Sequence, residues 1–185
     1  MVIAGKGDKP GVSKNGAPLG IWQIASSLYD KGYDVFEFAE KAVSNEKDPT
    51  KIGTGIAFDT VLMAEQRGVT NVVVFGHSYG GDATYDLTTK ISSSLVTMTI
   101  PFTAYIGAVA RPNLLGNPQR NRPPGSLYHV NFYEQRSGIF KSAATDGPAS
   151  TTVNQQLDVG HFVIPYDSTV QSTIINGIFV KAGVR

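Results

Sequence analysis

Short apolar runs alternate along this chain with segments whose apolar residues recur at helical spacing. "MVIAG" at the start reads as a strand, and Ile21, Ile24, Ala25 and Leu28 then follow a helical period with Gly32 at the expected C-cap. "YDVFEF" is the next strand. Phe58, Val61, Leu62 and Glu65 predict a second helix, with Thr54 as candidate N-cap and Gly68 as its stop. "NVVVFG" is almost wholly apolar, the pattern of a central parallel strand buried on both faces. A helix from Gly81 to about Ser92 follows at once, with Asp82 in its first turn, where the helix dipole favours an anion.

Further along, "FTAYIGAV", "LYHVNFY" and "TVNQQL" read as strands. The first two are separated by "ARPNLLGNPQRNRPPGS", whose Pro, Gly and Asn content predicts a long surface loop. Val170, Ile174, Ile175 and Ile178 predict a last helix that starts near Asp167 or Ser168. Strand-helix alternation of this kind implies right-handed crossovers, a mostly parallel sheet and helices on both faces. The class is α/β.

Composition narrows the field. With 185 residues, 41% hydrophobic and 17% charged, the chain reads as one globular domain over residues 1–185. A net charge of +1 and the lack of any Lys/Arg run argue against a nucleic-acid partner. No apolar segment approaches the roughly 18 residues that would span a bilayer. No basic start with an apolar leader is visible, so a soluble protein is expected, either cytoplasmic or secreted with its leader removed. A first strand that begins at Met1 is equally consistent with a trimmed domain. The chain has no cysteine, which excludes disulfides, thiolate metal sites and a cysteine nucleophile. Nothing here reads as a cofactor or metal motif, and oligomeric state is not legible.

The chemistry concentrates in "NVVVFGHSYGGDATYDL", residues 71–87. A serine between glycines, where a buried strand turns into a helix, is crowded by its own backbone, and the glycines relieve that crowding. Such a turn projects the Ser78 hydroxyl at the carboxyl edge of the sheet, where ligands of open α/β folds bind. The N–H of Tyr79, at the helix start, points toward an anion forming beside Ser78.

A serine hydroxyl needs a base within hydrogen-bond reach. Three histidines are available. His77 lies within the turn, where the residue before the nucleophile normally points away from it. His129 sits inside a strand and reads as a core residue. His161, in "LDVGHFVIPYDS", follows the last strand on a loop that can carry its imidazole over the same sheet edge. It is the candidate base.

With "VIAGKG" after the first strand, "GHSYGG" at the turn and "GHFVIPYDS" before the last helix, the chain resembles the α/β-hydrolase family, and within it the small, lidless bacterial lipases and esterases. The resemblance covers most of the chain. It implies a minimal sheet of about six strands with no cap domain, beginning at the family's third strand. It also implies a second oxyanion donor on the first loop, after a His-Gly pair. Here that pair reads Ala4-Gly5, so the donor would be the N–H of Lys6, and the family's histidine is absent. The glycine-rich "GKGDKPG" is not a phosphate loop, since it lacks both the GK[ST] ending and G-x-G-x-x-G spacing.

Family order runs Ser, acid, His, yet no Asp or Glu occurs between Leu87 and Tyr133. Some related hydrolases carry an aspartate in the strand after the elbow helix, in a segment that looks like "YIGAV", where this chain has Gly107. Glu134, Asp146 and Asp158 remain. Asp158 stands only three residues before His161, and Asp146 reads as a turn residue ahead of Gly147. Glu134 closes a strand and ranks first. A Ser-His dyad, or an acid lost by substitution at Gly107, is the alternative.

The implied function is hydrolysis of carboxylic esters, small-molecule or lipid-like, without a cofactor. A thioesterase would use the same residues. A binding protein on a hydrolase scaffold, lacking the acid, is the alternative from another class. Tyr79, Trp22 and the pair Leu114-Leu115 are candidate acyl contacts, although core or loop-anchor roles suit each of them better.

Overall fold

The computed structural model describes residues 1–6, 20–43, 55–111, 117–134 and 140–183. In chain order its elements are β1 (Val2–Ala4), α1 (Gly20–Asp30), β2 (Glu37–Ala39), α2 (Ile56–Gln66), β3 (Val74–His77), α3 (Tyr79–Ser93), β4 (Thr103–Ile106), β5 (His129–Glu134), β6 (Thr152–Leu157) and α4 (Ser168–Ala182). The six strands form one sheet in the order β2-β1-β3-β4-β5-β6. Every neighbouring pair is parallel. The architecture is α/β without a cap among the described residues.

Period-two alternation divides the core between the two faces of this sheet. Val2, Ala4, Phe75, Ala104, Ile106, Val130 and Phe132 point to one side. There they pack on Ile21, Ile24 and Leu28 of α1 and on Val170, Ile174 and Ile178 of α4. Ile3, Phe38 and Val74 point to the other side, against Ala57, Phe58 and Val61 of α2 and Ala83, Leu87 and Ile91 of α3. Helix pairs α1/α4 and α2/α3 therefore sandwich the sheet. Helix ends follow local chemistry. Gly32 and Gly68 adopt φ of 86° and 84° just beyond α1 and α2. Asp167 caps α4 by accepting from the N–H groups of Thr169 and Val170.

Two expectations shift. The strand expected from Tyr33 pairs only from Glu37, because β1 begins its register at Val2 opposite Glu37. Tyr33 and Val35 instead lean on the core as partly buried side chains. The Pro-rich segment after β4 is irregular, as expected, but not wholly a surface loop. Pro118 bridges to Val109, and Gln119 and Ser126 are buried. The reason is polar. Asp82 accepts hydrogen bonds from Gln119 Nε2 at 2.5 Å and from the N–H and Nε of Arg111, each at 3.0 Å. Arg111 also pairs with Asp86, so this one guanidinium ties the segment to α3. Thr54, Leu114 and Leu115 lie outside the described residues, as does "GKGDKPG" beyond Lys6.

Among the described residues no helix is long and apolar enough to cross a membrane. No group of three or more His, Asp or Glu among them is arranged to hold a metal ion.

Candidate active site

Strand order locates the crevice. From β1 the chain runs outward to β2, then returns past β1 to β3, so the direction of winding reverses between β1 and β3. In open α/β sheets that reversal splays the loops at the carboxyl ends of the two strands and opens a binding crevice. Ser78 follows the last residue of β3, and Gly5 and Lys6 follow the last residue of β1. Both stand at the carboxyl ends of the strands that flank the switch.

The backbone of Ser78 is held in an unusual state. With φ 57° and ψ −124°, it is the one positive-φ residue other than glycine among those described. Such a conformation costs about 1–3 kcal/mol and persists only where the surroundings enforce it. Here they do. The Ser78 N–H donates to the Ile106 carbonyl at 3.0 Å, and the Ser78 carbonyl accepts from Gly81 at 3.0 Å and Val109 at 3.1 Å. The glycines are required by close approach. A Cβ on Gly76 would fall 2.1 Å from the Gly80 carbonyl oxygen, and one on Gly80 would fall 2.1 Å from the Ile3 carbonyl oxygen. Serine at a helix start ordinarily caps it through its hydroxyl. Ser78 is the N-cap residue of α3, yet its side chain makes no capping bond.

His161 lies four residues beyond the end of β6, and Glu134 is the last residue of β5, so both also belong to the carboxyl edge. His161 Nδ1 stands 3.3 Å from Glu134 Oε1, with the two side chains 2% and 0% exposed. A carboxylate only accepts, so Nδ1 carries the proton and Nε2 is left as the basic lone pair. Among the described residues Nε2 is buried without a hydrogen-bond partner, so no hydrogen bond joins it to the Ser78 hydroxyl in this structure. The ring is held between Phe140, stacked at 5.2 Å between centroids, and Phe162, edge-on at 5.3 Å.

Gly107 takes part by its lack of a side chain. A Cβ there would meet His161 Nδ1 at 3.2 Å and Cε1 at 3.3 Å. The carboxyl end of β4 thus lies directly against the imidazole, and the space for an acid on that strand is already occupied by the ring. Glu134, one strand further out, reaches Nδ1 instead. Asp146 is exposed beside the bend at Gly147, its N–H donating to the Arg120 carbonyl at 2.8 Å, away from the His161–Glu134 pair. Asp158 is likewise exposed on the bend before His161.

His77 packs beside His161. Its ring lies 5.1 Å from that of His161, and its Nε2–H donates to the His161 carbonyl at 3.2 Å. Burial, reinforced by the neighbouring His161, pulls its pKa down to about 3, so it donates as a neutral ring. His129 is the core histidine expected. It starts a relay in which Nδ1–H donates to Thr103 at 2.9 Å, Thr103 to Ser126 at 2.8 Å and Ser126 to the Tyr128 carbonyl at 2.9 Å. Burial lowers its pKa to about 3 as well.

Tyr79 is the first residue of α3, which puts its N–H at the positive end of the helix. Lys6 brings the first loop to the turn, with Nζ 5.9 Å from the centre of the Tyr79 ring. Trp22 is a core residue at 3% exposure, packed within the α1/α4 layer. One participant escaped the sequence reading. Ser142 is buried against Glu134, donating its hydroxyl to Oε2 and accepting the Glu134 N–H at 2.9 Å. Nothing in "KSAATDGPAS" distinguishes that serine, because its role depends on the fold of the segment after β5. Compared with known proteins, the chain matches no family model and no curated relative.

Proposed function

We propose that this protein is a serine hydrolase that cleaves carboxylic esters through an acyl-enzyme on Ser78. The observation that carries the reading is the backbone of Ser78, a non-glycine residue at φ 57° whose hydroxyl is withheld from capping at the switch point of the sheet. Strain of this kind has a use if it presents a nucleophile. The buried His161–Glu134 pair at the same edge supports it by supplying a base with the required tautomer.

In this mechanism the Ser78 oxygen attacks the ester carbonyl carbon while its proton passes to His161 Nε2. The carbonyl electron pair moves onto oxygen, and the N–H groups of Tyr79 and Lys6 stabilise that oxyanion. One such donor typically contributes about 3 kcal/mol to the transition state. As the intermediate collapses, the bond to the alcohol oxygen breaks and Nε2 returns the proton to the leaving group. Water, deprotonated by the same nitrogen, then attacks the acyl-enzyme and releases the acid. Glu134 keeps Nδ1 protonated and offsets the charge on the transient imidazolium. No cofactor enters these steps. The α/β-hydrolase resemblance and a small-molecule or lipid-like ester substrate belong to the same proposal, and a thioester would react at the same atoms.

The test is incubation with a fluorophosphonate, intact-mass measurement and peptide mapping. The expected result is one adduct, on Ser78, with turnover of a short activated ester that disappears in Ser78→Ala. Folded protein that takes no adduct, or turnover that survives in Ser78→Ala, would overturn the reading.

A further inference from the structure

The acid of this site is a glutamate, which has one more rotatable bond than an aspartate and must be held to present Oε1 to His161. Hydrophobic packing cannot set the rotation of a carboxylate. A single hydrogen bond from Nδ1 leaves the other oxygen to find a donor, and at 0% exposure Glu134 has no bulk water to provide one. Ser142 meets that need in a specific way. Its Oγ accepts the main-chain N–H of Glu134 at 2.9 Å and donates to Oε2 of the same residue. One hydroxyl therefore links the backbone of Glu134 to the end of its own side chain, closing a ring that fixes the side-chain torsions. The opposite oxygen is left on His161 Nδ1, 3.3 Å away. Ser142 is itself 4% exposed and sits eight residues beyond Glu134 along the chain.

We propose that Ser142 is a positioning residue of the site, acting through Glu134 to hold His161 in the tautomer and orientation that leave Nε2 basic. The proposal rests on the hydrolase reading and adds a fourth member to Ser78, His161 and Glu134. Ser142 touches neither substrate nor the reacting atoms. A purely structural serine would only fasten the segment after β5 to the sheet, and its loss would alter stability without altering the imidazole.

The experiment reads the imidazole directly. In the parent, proton NMR should show a low-field Nδ1–H resonance from His161, assigned by its loss in His161→Gln. Ser142→Ala should shift or broaden that resonance and lower kcat on the order of tenfold, as removal of an outer partner of a functional histidine typically does. KM should change less than about twofold, since only the transition state needs the imidazolium stabilised. Ser142→Thr, which keeps the hydroxyl, should restore both signals. Parent-like kcat and an unchanged resonance in Ser142→Ala would overturn the proposal, as would failure of Ser142→Thr to restore a lost resonance. If Ser142→Ala does not fold, Ser142→Cys, similar in size with a weaker donor, carries the same test with the same two outcomes. Absence of a fluorophosphonate adduct on Ser78 of the parent would overturn the hydrolase reading separately, because the resonance does not depend on turnover.

Discussion

Gly107 and His161 meet so closely that a β-carbon on the glycine would lie 3.2 Å from Nδ1 of the imidazole. The strand end nearest the His161 imidazole is therefore taken up by the ring, and the carboxylate that faces Nδ1 comes from β5. In the proposed hydrolase, this contact leaves no room for an acid at Gly107. It also makes Gly107→Asp a poor replacement for Glu134. Gly107 has φ 58°, so any side chain there adds backbone strain to the steric conflict. Gly107→Ala should cost about 1–2 kcal/mol of stability in urea unfolding. The double variant Gly107→Asp/Glu134→Gln should remain as inactive as Glu134→Gln alone, and recovery of activity in that double variant would contradict this account.

Glu134→Gln tests the acid itself. An amide can donate toward Nδ1 and so favour the tautomer that protonates Nε2, and loss of the carboxylate at such a position lowers turnover on the order of 10⁴. Ester hydrolysis should fall to that extent while circular dichroism stays at parental values. Asp146→Asn, at an exposed position, should retain parental activity. The opposite pattern would reassign the acid.

Ser78 offers a trade of function against stability. Glycine adopts φ 57° without the penalty serine bears there. Part of the relief is offset by the greater freedom of glycine in the unfolded chain, leaving a net gain of about 1 kcal/mol. Ser78→Gly should therefore raise the urea midpoint while abolishing fluorophosphonate labelling. A lowered midpoint would mean that the turn carries no strain worth relieving.

Stability should fall in mild acid for a reason visible in two buried rings. His77 and His129 have pKa values pulled down to about 3 by burial, against about 6.5 in an unfolded chain. Their contribution is fully present above pH 6.5 and is lost as pH falls from there toward 3, because the unfolded state binds the protons first. Each histidine adds a slope of up to about 1.4 kcal/mol per pH unit in that window. Asp86 works the other way. Burial and the charge of Asp82 raise its pKa to about 6, so its contribution is greatest below the ordinary aspartate value and is lost as pH rises through 6. Between pH 6 and 4 the two histidines outweigh the one aspartate. Urea titrations at pH 7 and pH 5 should show the loss, and His129→Gln should reduce it by close to one histidine's share.

Much of the architecture was legible along the chain because it depends on local pattern. A period of two or of three to four residues reports which faces are buried, and it marked β6 and the start of α4 to the residue and α3 within two residues, while β3 begins three residues later than its apolar run. The turn at Ser78 was legible for a related reason. A strand that must reverse tightly into a helix needs small flanking residues, and Gly76 and Gly80 stand where the backbone comes closest, with Gly81 against the Ala108 side chain. The start of β2 was less legible, since pairing begins where β1 begins and not where β-propensity rises.

By itself, then, the sequence determined the α/β class, the position of the strand-to-helix turn at Ser78 and a short set of candidate bases and acids, all of which follow from neighbours within a few residues. Only the tertiary structure decided which of those candidates meet. Glu134 and His161 are 27 residues apart along the chain, and His77 and His161 are 84 apart. Their contacts exist because parallel pairing brings every strand's carboxyl end to the same edge. Ser142 had no signal in the sequence, because a hydrogen bond between a loop hydroxyl and a strand-end carboxylate is fixed by the path of the chain between them. Gly107 is the plainest case. Its meaning lies in an imidazole that arrives from 54 residues later in the chain, and no local pattern can report a space kept empty for a distant side chain.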